Sequence, residues 1–168
     1  MNNIIFIGMP AVGKSTVGKL IAKQLGYQFL DTDTLIQEKE NRSLKDIILE
    51  EGNEGFLEIE NRINCDVVVD HAVIAPGGSI IYCREAMEHF KKIGTVVYLN
   101  ASYGTIEKRI ESIQNRGVIL KPGQTLRDLY NERIILLKQY ADVTVIHEGL
   151  DIEETIDRVL KALESFNR

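Results

Sequence analysis

Residues 8 to 15, Gly-Met-Pro-Ala-Val-Gly-Lys-Ser, stand between two strongly patterned segments. Before them lies the apolar run Asn3-Ile4-Ile5-Phe6-Ile7. After them Val17, Leu20, Ile21 and Leu25 fall on one helical stripe, and Gly26 stands where a C-cap glycine belongs. Strand, glycine-rich turn and helix in this order leave few folds open, because Gly8-x-x-x-x-Gly13-Lys14-Ser15 fills the phosphate-loop pattern completely. The glycines let the chain turn tightly and bring backbone N–H groups up to a phosphate. The helix that follows aims the positive end of its dipole at the same anion. Lys14 adds a point charge for the β- and γ-phosphates, and Ser15 offers a hydroxyl to Mg²⁺. The candidate nucleotide-binding residues are Gly8, Ala11, Val12, Gly13, Lys14, Ser15 and Thr16. The loop implies a nucleoside triphosphate with magnesium, a property shared by kinases, GTPases and ATPase switches.

Further strand-length apolar runs are Gln28–Leu30, Ala72–Ala75, Thr95–Leu99 and Val143–Ile146. Most are continuous rather than alternating, as expected of parallel strands covered on both faces. Helical patterns lie between them: a start at Ser43-Leu-Lys-Asp46, then 53–68, 84–90, 102–114, 125–140 and 151–166. Regular alternation of strand and helix predicts an α/β layered domain with right-handed crossovers. The stretch 116–124 is polar and carries Gly117, Pro122 and Gly123, as either a mobile lid or an ordinary surface loop would.

The bulk properties narrow the partners. A chain of 168 residues is the length of a single domain, and a net charge of −5 with no basic block disfavours nucleic acid or an anionic membrane as the main partner. No apolar run reaches the roughly 18 residues a membrane span needs. The first residues lead directly into a strand with no basic leader, so a cytoplasmic location is expected. Cys65 and Cys83 lack metal-site spacing and read as reduced thiols rather than as a disulfide or metal site. His71, His89 and His147 show no ligand spacing.

Two aspartates follow the second run. Asp31 and Asp33 are alternate residues on an extended segment and face one way, beyond the carboxyl end of a strand, where ligands of open α/β sheets bind. Asp31 can supply a hard oxygen to the metal, directly or through water. Asp33 can orient an attacking hydroxyl or take its proton. The competing reading is a simple helix cap at 33–35. Arg133 lies on the apolar stripe of its helix with Leu126, Leu129, Tyr130, Leu137 and Tyr140. A guanidinium there is costly without an anion, which is either a structural carboxylate or a ligand.

The phosphate loop, Asp31-x-Asp33, Phe56, the Pro76-Gly77-Gly78-Ser79 turn, Arg116 and Glu132-Arg133…Tyr140-Ala141-Asp142-Val143 follow one another at the spacing of shikimate kinases, and the chain resembles that family over nearly its whole length. The resemblance implies a three-layer P-loop kinase fold with five parallel strands in the order 2-3-1-4-5, a single domain over 1–168. It implies a substrate-binding helical region over 33–62 and a lid over 112–124. The implied activity is transfer of the ATP γ-phosphate to the 3-hydroxyl of shikimate, in aromatic amino-acid biosynthesis, by a monomer. By the same resemblance Asp33, Phe56, Gly77, Gly78 and Arg133 bind the acceptor. Lys14, Asp33 and the lid residue Arg116 serve the transfer, Arg116 also touching nucleotide, and Ser15 and Asp31 lie at the metal.

Three departures concern the acceptor half. Leu57 stands where the family carries an arginine that clamps the acceptor carboxylate. Arg62 does not replace it, lying about 140° round the helix from position 57. The third residue of a glycine run is Ser79, and the lid reads Arg116-Gly117-Val118-Ile119 in place of Arg-Pro-Leu-Leu. Two alternatives therefore stand beside shikimate. One is a related kinase acting on another polyol, sugar acid or nucleoside. The other is a nucleotide-dependent regulatory protein with little transfer, against which Asp31 and Asp33 speak.

Overall fold

A computed structural model describes residues 2–112, 122–148 and 151–167. Five parallel strands form one sheet: β1 (Asn3–Ile7), β2 (Gln28–Asp31), β3 (Ala72–Ala75), β4 (Gly94–Asn100) and β5 (Val143–Ile146), in the order β2-β3-β1-β4-β5. The helices are α1 (Lys14–Leu25), α2 (Thr32–Glu40), α3 (Leu44–Cys65), α4 (Arg84–Ile93), α5 (Tyr103–Ser112), α6 (Leu126–Tyr140) and α7 (Ile152–Phe166), with a 3₁₀ helix over Gly78–Tyr82. The α/β layering read from the sequence pattern, and the three-layer fold and strand order implied by the family resemblance, are those observed.

The strand patterns follow from position in the sheet. β1 and β3 are central, and every one of their residues is buried. β2 and β5 are the edges and are only partly covered. Ile5, Phe6, Val73, Ile74, Val96, Val97 and Leu99 form the middle of the core. Burying each large apolar side chain contributes roughly 1.5–3 kcal/mol. One polar residue sits inside β1. The Asn3 amide donates to the carbonyls of Val69 and Ile93, each at 2.9 Å, and its Oδ1 accepts from Ala72 N–H at 3.0 Å. It thereby ties β1 to the segments entering β3 and β4, and its burial costs nothing in lost hydrogen bonds.

Helix boundaries follow the local chemistry. Gly26 closes α1 in the left-handed conformation. Ser43 caps α3 through its hydroxyl, Thr125 and Asp128 form a capping box on α6, and Asp151 caps α7. Three features differ from the sequence reading. The helix expected over 53–68 ends at Cys65, because Asp66 and Val67 close the turn with N–H bonds to Ile63 and Asn64. The two helical patterns at 43 and 53 join into α3, bent at Gly52, whose φ of 73° only glycine adopts without strain. The 3₁₀ helix was not foreseen: the run Gly-Ser-Ile-Ile-Tyr carries no periodicity that marks it. Residues 113–121, including Arg116 and most of the expected lid, lie outside the described residues.

α2 and α3 stand after β2 around their own apolar cluster of Ile36, Ile47, Phe56 and Ile63. No helix among the described residues is long and apolar enough to cross a membrane.

Candidate active site

A cleft of about 700 Å³ opens over the carboxyl ends of β1, β2 and β3. Its floor on one side is the loop 8–15. Lys14 Nζ donates to the carbonyls of Gly8 (2.9 Å) and Met9 (3.1 Å), so the ammonium is already folded over the loop. Gly13 has φ 103° and Ala11 has φ 66°, and these left-handed residues shape the concave turn. The side chain of Val12 is buried in the core and its N–H donates to Met9 O, which closes the turn from below. Ala11, Gly13, Lys14, Ser15 and Thr16 line the cleft.

Two residues that sequence reasoning did not select complete this side. Arg109, on α5, lines the cleft and donates from Nη1 to the carbonyl of Val12 at 2.9 Å, holding the loop's outer edge. Its exposed-looking position near a helix end gave no signal. His147 follows β5 directly, and its place beyond a strand's carboxyl end was the available clue. Its Nδ1 lies 2.8 Å from Thr155 Oγ1, whose own hydrogen goes to Asp151 O. Nδ1 is therefore the protonated nitrogen and Nε2 the acceptor, close against Gly13. Burial, and then the nearby Arg109 charge, hold the ring below the usual histidine range.

Asp31 and Asp33 both line the cleft. Asp31 is the N-cap of α2: its Oδ1 accepts from the N–H groups of Asp33 (2.9 Å) and Thr34 (3.3 Å). The capping weighed for Asp33 thus falls on Asp31, and Asp33 sits in the first turn of the helix. Asp31 and Ser15 bring two hard oxygen donors to one cleft. That suits Mg²⁺, which keeps several waters and takes only one or two protein oxygens beside phosphate. Among the described residues no cluster of three His, Cys, Asp or Glu side chains is placed to hold a metal by itself. Cys65 and Cys83 are free thiols.

The opposite half of the cleft is built by α3, the turn 76–79 and α6. Phe56, Gly77, Gly78, Ser79 and Arg133 line it with Asp33. The glycines allow two side chains to approach the turn closely. A methyl group at Gly77 would stand 2.6 Å from Asp33 Oδ1, and one at Gly78 would stand 2.9 Å from an Arg133 nitrogen. Arg133 is only 1% exposed, its Nε has no hydrogen-bond partner, and its guanidinium lies 5.4 Å from the Tyr82 ring. Among the described residues no ion pair includes it. Of the two anions weighed for it, no structural carboxylate lies within ion-pair distance among the described residues, although the buried Glu60 carboxyl feels its charge.

Leu57 does not line the cleft. It is half-buried and packs between the two apolar clusters. Arg62 points elsewhere, 3.4 Å from Glu40. Three residues on from Leu57, on the same helix face, is Glu60. It is fully buried, with Oε1 hydrogen-bonded to Ser79 Oγ at 2.7 Å and Oε2 without a partner. Burial pushes its carboxyl up to about 8. Sequence reasoning passed over Glu60 because an acidic residue in a charged helix looks solvent-facing.

Comparison with known proteins agrees with this geometry. The sequence pattern of the shikimate kinase family matches residues 10–164. The shikimate kinase of Thermodesulfovibrio yellowstonii is 33% identical over 167 residues, covering 98% of this chain and 96% of the relative. Among solved structures, the shikimate kinase from Acinetobacter baumannii in complex with shikimate has a TM-score of 0.87 at 28% identity, covering 98% of this chain and 94% of that one. The shikimate kinase from Aquifex aeolicus has a TM-score of 0.81 at 28% identity, covering 97% and 96%. With the family pattern spanning most of its length, the chain belongs to the shikimate kinase family, phosphotransferases whose acceptor group is an alcohol.

Proposed function

We propose that this protein transfers the γ-phosphate of Mg-ATP to the 3-hydroxyl of shikimate, acting as a cytoplasmic monomer. The observation that carries the reading is the buried Arg133. It is a permanent cation with no ion-pair partner among the described residues, facing the same cleft as the phosphate loop, and an acceptor carboxylate would satisfy it. In this reading the loop N–H groups and Lys14 hold the β- and γ-phosphates, with Lys14 exchanging the carbonyls of Gly8 and Met9 for phosphate oxygens. Ser15 and Asp31 would hold the magnesium, which neutralises phosphate charge when bound. Arg109 and the neutral His147 border the outer nucleotide side. Asp33 accepts the hydrogen of the attacking hydroxyl and aims its oxygen at the phosphorus, and the Gly77–Gly78 backbone lets the acceptor come close. Arg116, in the 112–124 lid, supplies a further cation to the transferring group.

Coupled ADP release with Mg-ATP over shikimate, quinate, gluconate and nucleosides tests the reading. Shikimate should be the best acceptor by kcat/KM. A better acceptor lacking a carboxylate would remove Arg133 from this role. The absence of any acceptor-dependent ADP release, with nucleotide still bound, would favour the regulatory alternative.

A further inference from the structure

Resting on that reading, we propose that Ser79 is a specificity-determining residue of the acceptor half: backed by the buried Glu60, its hydroxyl donates a hydrogen bond to the acceptor carboxylate beside Arg133. The proposal starts from Leu57. An arginine at that position, on the same helix face as Glu60, would pair with the carboxylate and keep it ionised. Leucine cannot. Glu60 is left fully buried with no cation bonded to it, and a carboxyl so placed keeps its proton at neutral pH. The groups facing it are Ser79 and Cys83 from the 3₁₀ segment, Asp33 from α2 and Arg133 from α6. Asp33 opposes ionisation and Arg133 favours it, and burial outweighs both.

The proton of the neutral acid has two seats. On Oε2 it would be an unpaired buried donor, because Oε2 has no partner. On Oε1 it donates to Ser79 Oγ, 2.7 Å away. The second seat leaves only a carbonyl oxygen unpaired, the smaller cost. Ser79 then has its own hydrogen to give. Ser79 lines the cleft directly after Gly78, the residue against which Arg133 packs. Ser79 and the guanidinium therefore border one stretch of wall, and in this proposal the hydroxyl does with a neutral donor what the absent arginine would do with a charge. When Glu60 ionises, its Oε1 takes the Ser79 hydrogen back and the contact is lost.

Steady-state kinetics of Ser79→Ala, Ser79→Gly, Glu60→Gln and Glu60→Ala test this. Ser79→Ala and Ser79→Gly should raise the KM for shikimate roughly 10- to 100-fold, the worth of a hydrogen bond to a charged group, and move the KM for ATP less than about twofold. In the wild type the KM for shikimate should climb as pH passes about 8. Glu60→Gln, whose amide donates permanently, should keep the neutral-pH KM and lose that climb, whereas Glu60→Ala should not be rescued. A KM unmoved by both Ser79 variants overturns the proposal, as does Glu60→Gln behaving like Glu60→Ala. If another hydroxy acid is the true acceptor, the proposed substrate falls and the same arms are run with that acid. Difference infrared spectroscopy of wild type against Glu60→Gln reads the protonated carboxyl directly and needs no acceptor. The band should be present at pH 7, and its absence overturns the proposal even if Ser79→Gly alone folds well enough for kinetics.

Discussion

Gly77→Ala perturbs the placement of Asp33 while leaving the phosphate loop untouched. Gly77 has φ −64° and ψ 163°, a conformation alanine adopts freely, so the backbone is not strained by the change. The new methyl would instead stand 2.6 Å from Asp33 Oδ1 and 3.0 Å from Oδ2. Real contacts of this kind essentially never fall below 3.0 Å and are ordinary from 3.4 Å, so the carboxylate must withdraw by about 0.4 Å at least and about 0.8 Å for comfort. The obstructed atoms end a short side chain that can rotate away, so the melting temperature should change little. A displacement near 1 Å in a reacting group costs up to about 10²-fold. We therefore expect kcat with shikimate to fall between about tenfold and a hundredfold, with the KM for ATP within about twofold, because the phosphate loop is untouched. The assay is coupled ADP release with calorimetric nucleotide binding alongside. Adding Asp33→Asn should give much less than the product of the two single losses, since both act through one carboxylate. Full additivity, or an unchanged kcat in Gly77→Ala, would refute the assignment of Asp33 to the acceptor hydroxyl.

Three other expectations follow from the same geometry. Lys14→Ala should lower kcat by at least about 10²–10³-fold, as loss of a positioned donor to a developing charge does, and turnover within tenfold of wild type would remove Lys14 from the transfer. Ala11→Gly should stabilise the fold by about 0.5–1 kcal/mol, since a left-handed alanine costs roughly 1–2 kcal/mol and glycine returns part of that through the unfolded chain; thermal unfolding should show a rise of a few degrees, and a fall would mean that the methyl contributes packing instead. For Glu60 the folded carboxyl holds its proton to about pH 8, whereas the unfolded one releases it near 4.5. Its contribution to stability is therefore complete below pH 4.5 and declines as pH rises to about 8, by at most ~1.4 kcal/mol per pH unit. Urea unfolding of wild type against Glu60→Gln across that window should show the slope only in the wild type.

Much of this architecture was legible because local patterns and global topology agree. The run Asn3–Ile7 is continuous and buried because β1 is the central strand, and Ser43, Thr125 and Asp151 announce the helices they cap. The loop 8–15 was readable because Gly8, Gly13, Lys14 and Ser15 stand at the spacing that phosphate chemistry demands. What escaped detection depends on contacts between distant segments. Glu60 meets Ser79 across 19 positions and Arg109 meets Val12 across 97, and no short window contains both partners. Leu57 was legible as a departure, but its packing was not. It turns to the apolar clusters rather than to the cleft, and one turn later the buried Glu60 keeps its Oε2 without a partner.

The bonds of Asn3 have a bearing on how such proteins diverge. One amide fastens three chain crossings at the amino-terminal rim of the sheet, far from the cleft at the other rim. If positions 57 and 79 set acceptor choice as proposed, replacements there leave this anchor and the anion cradle untouched. Under that proposal, new substrate selectivities are within reach of very few mutational steps.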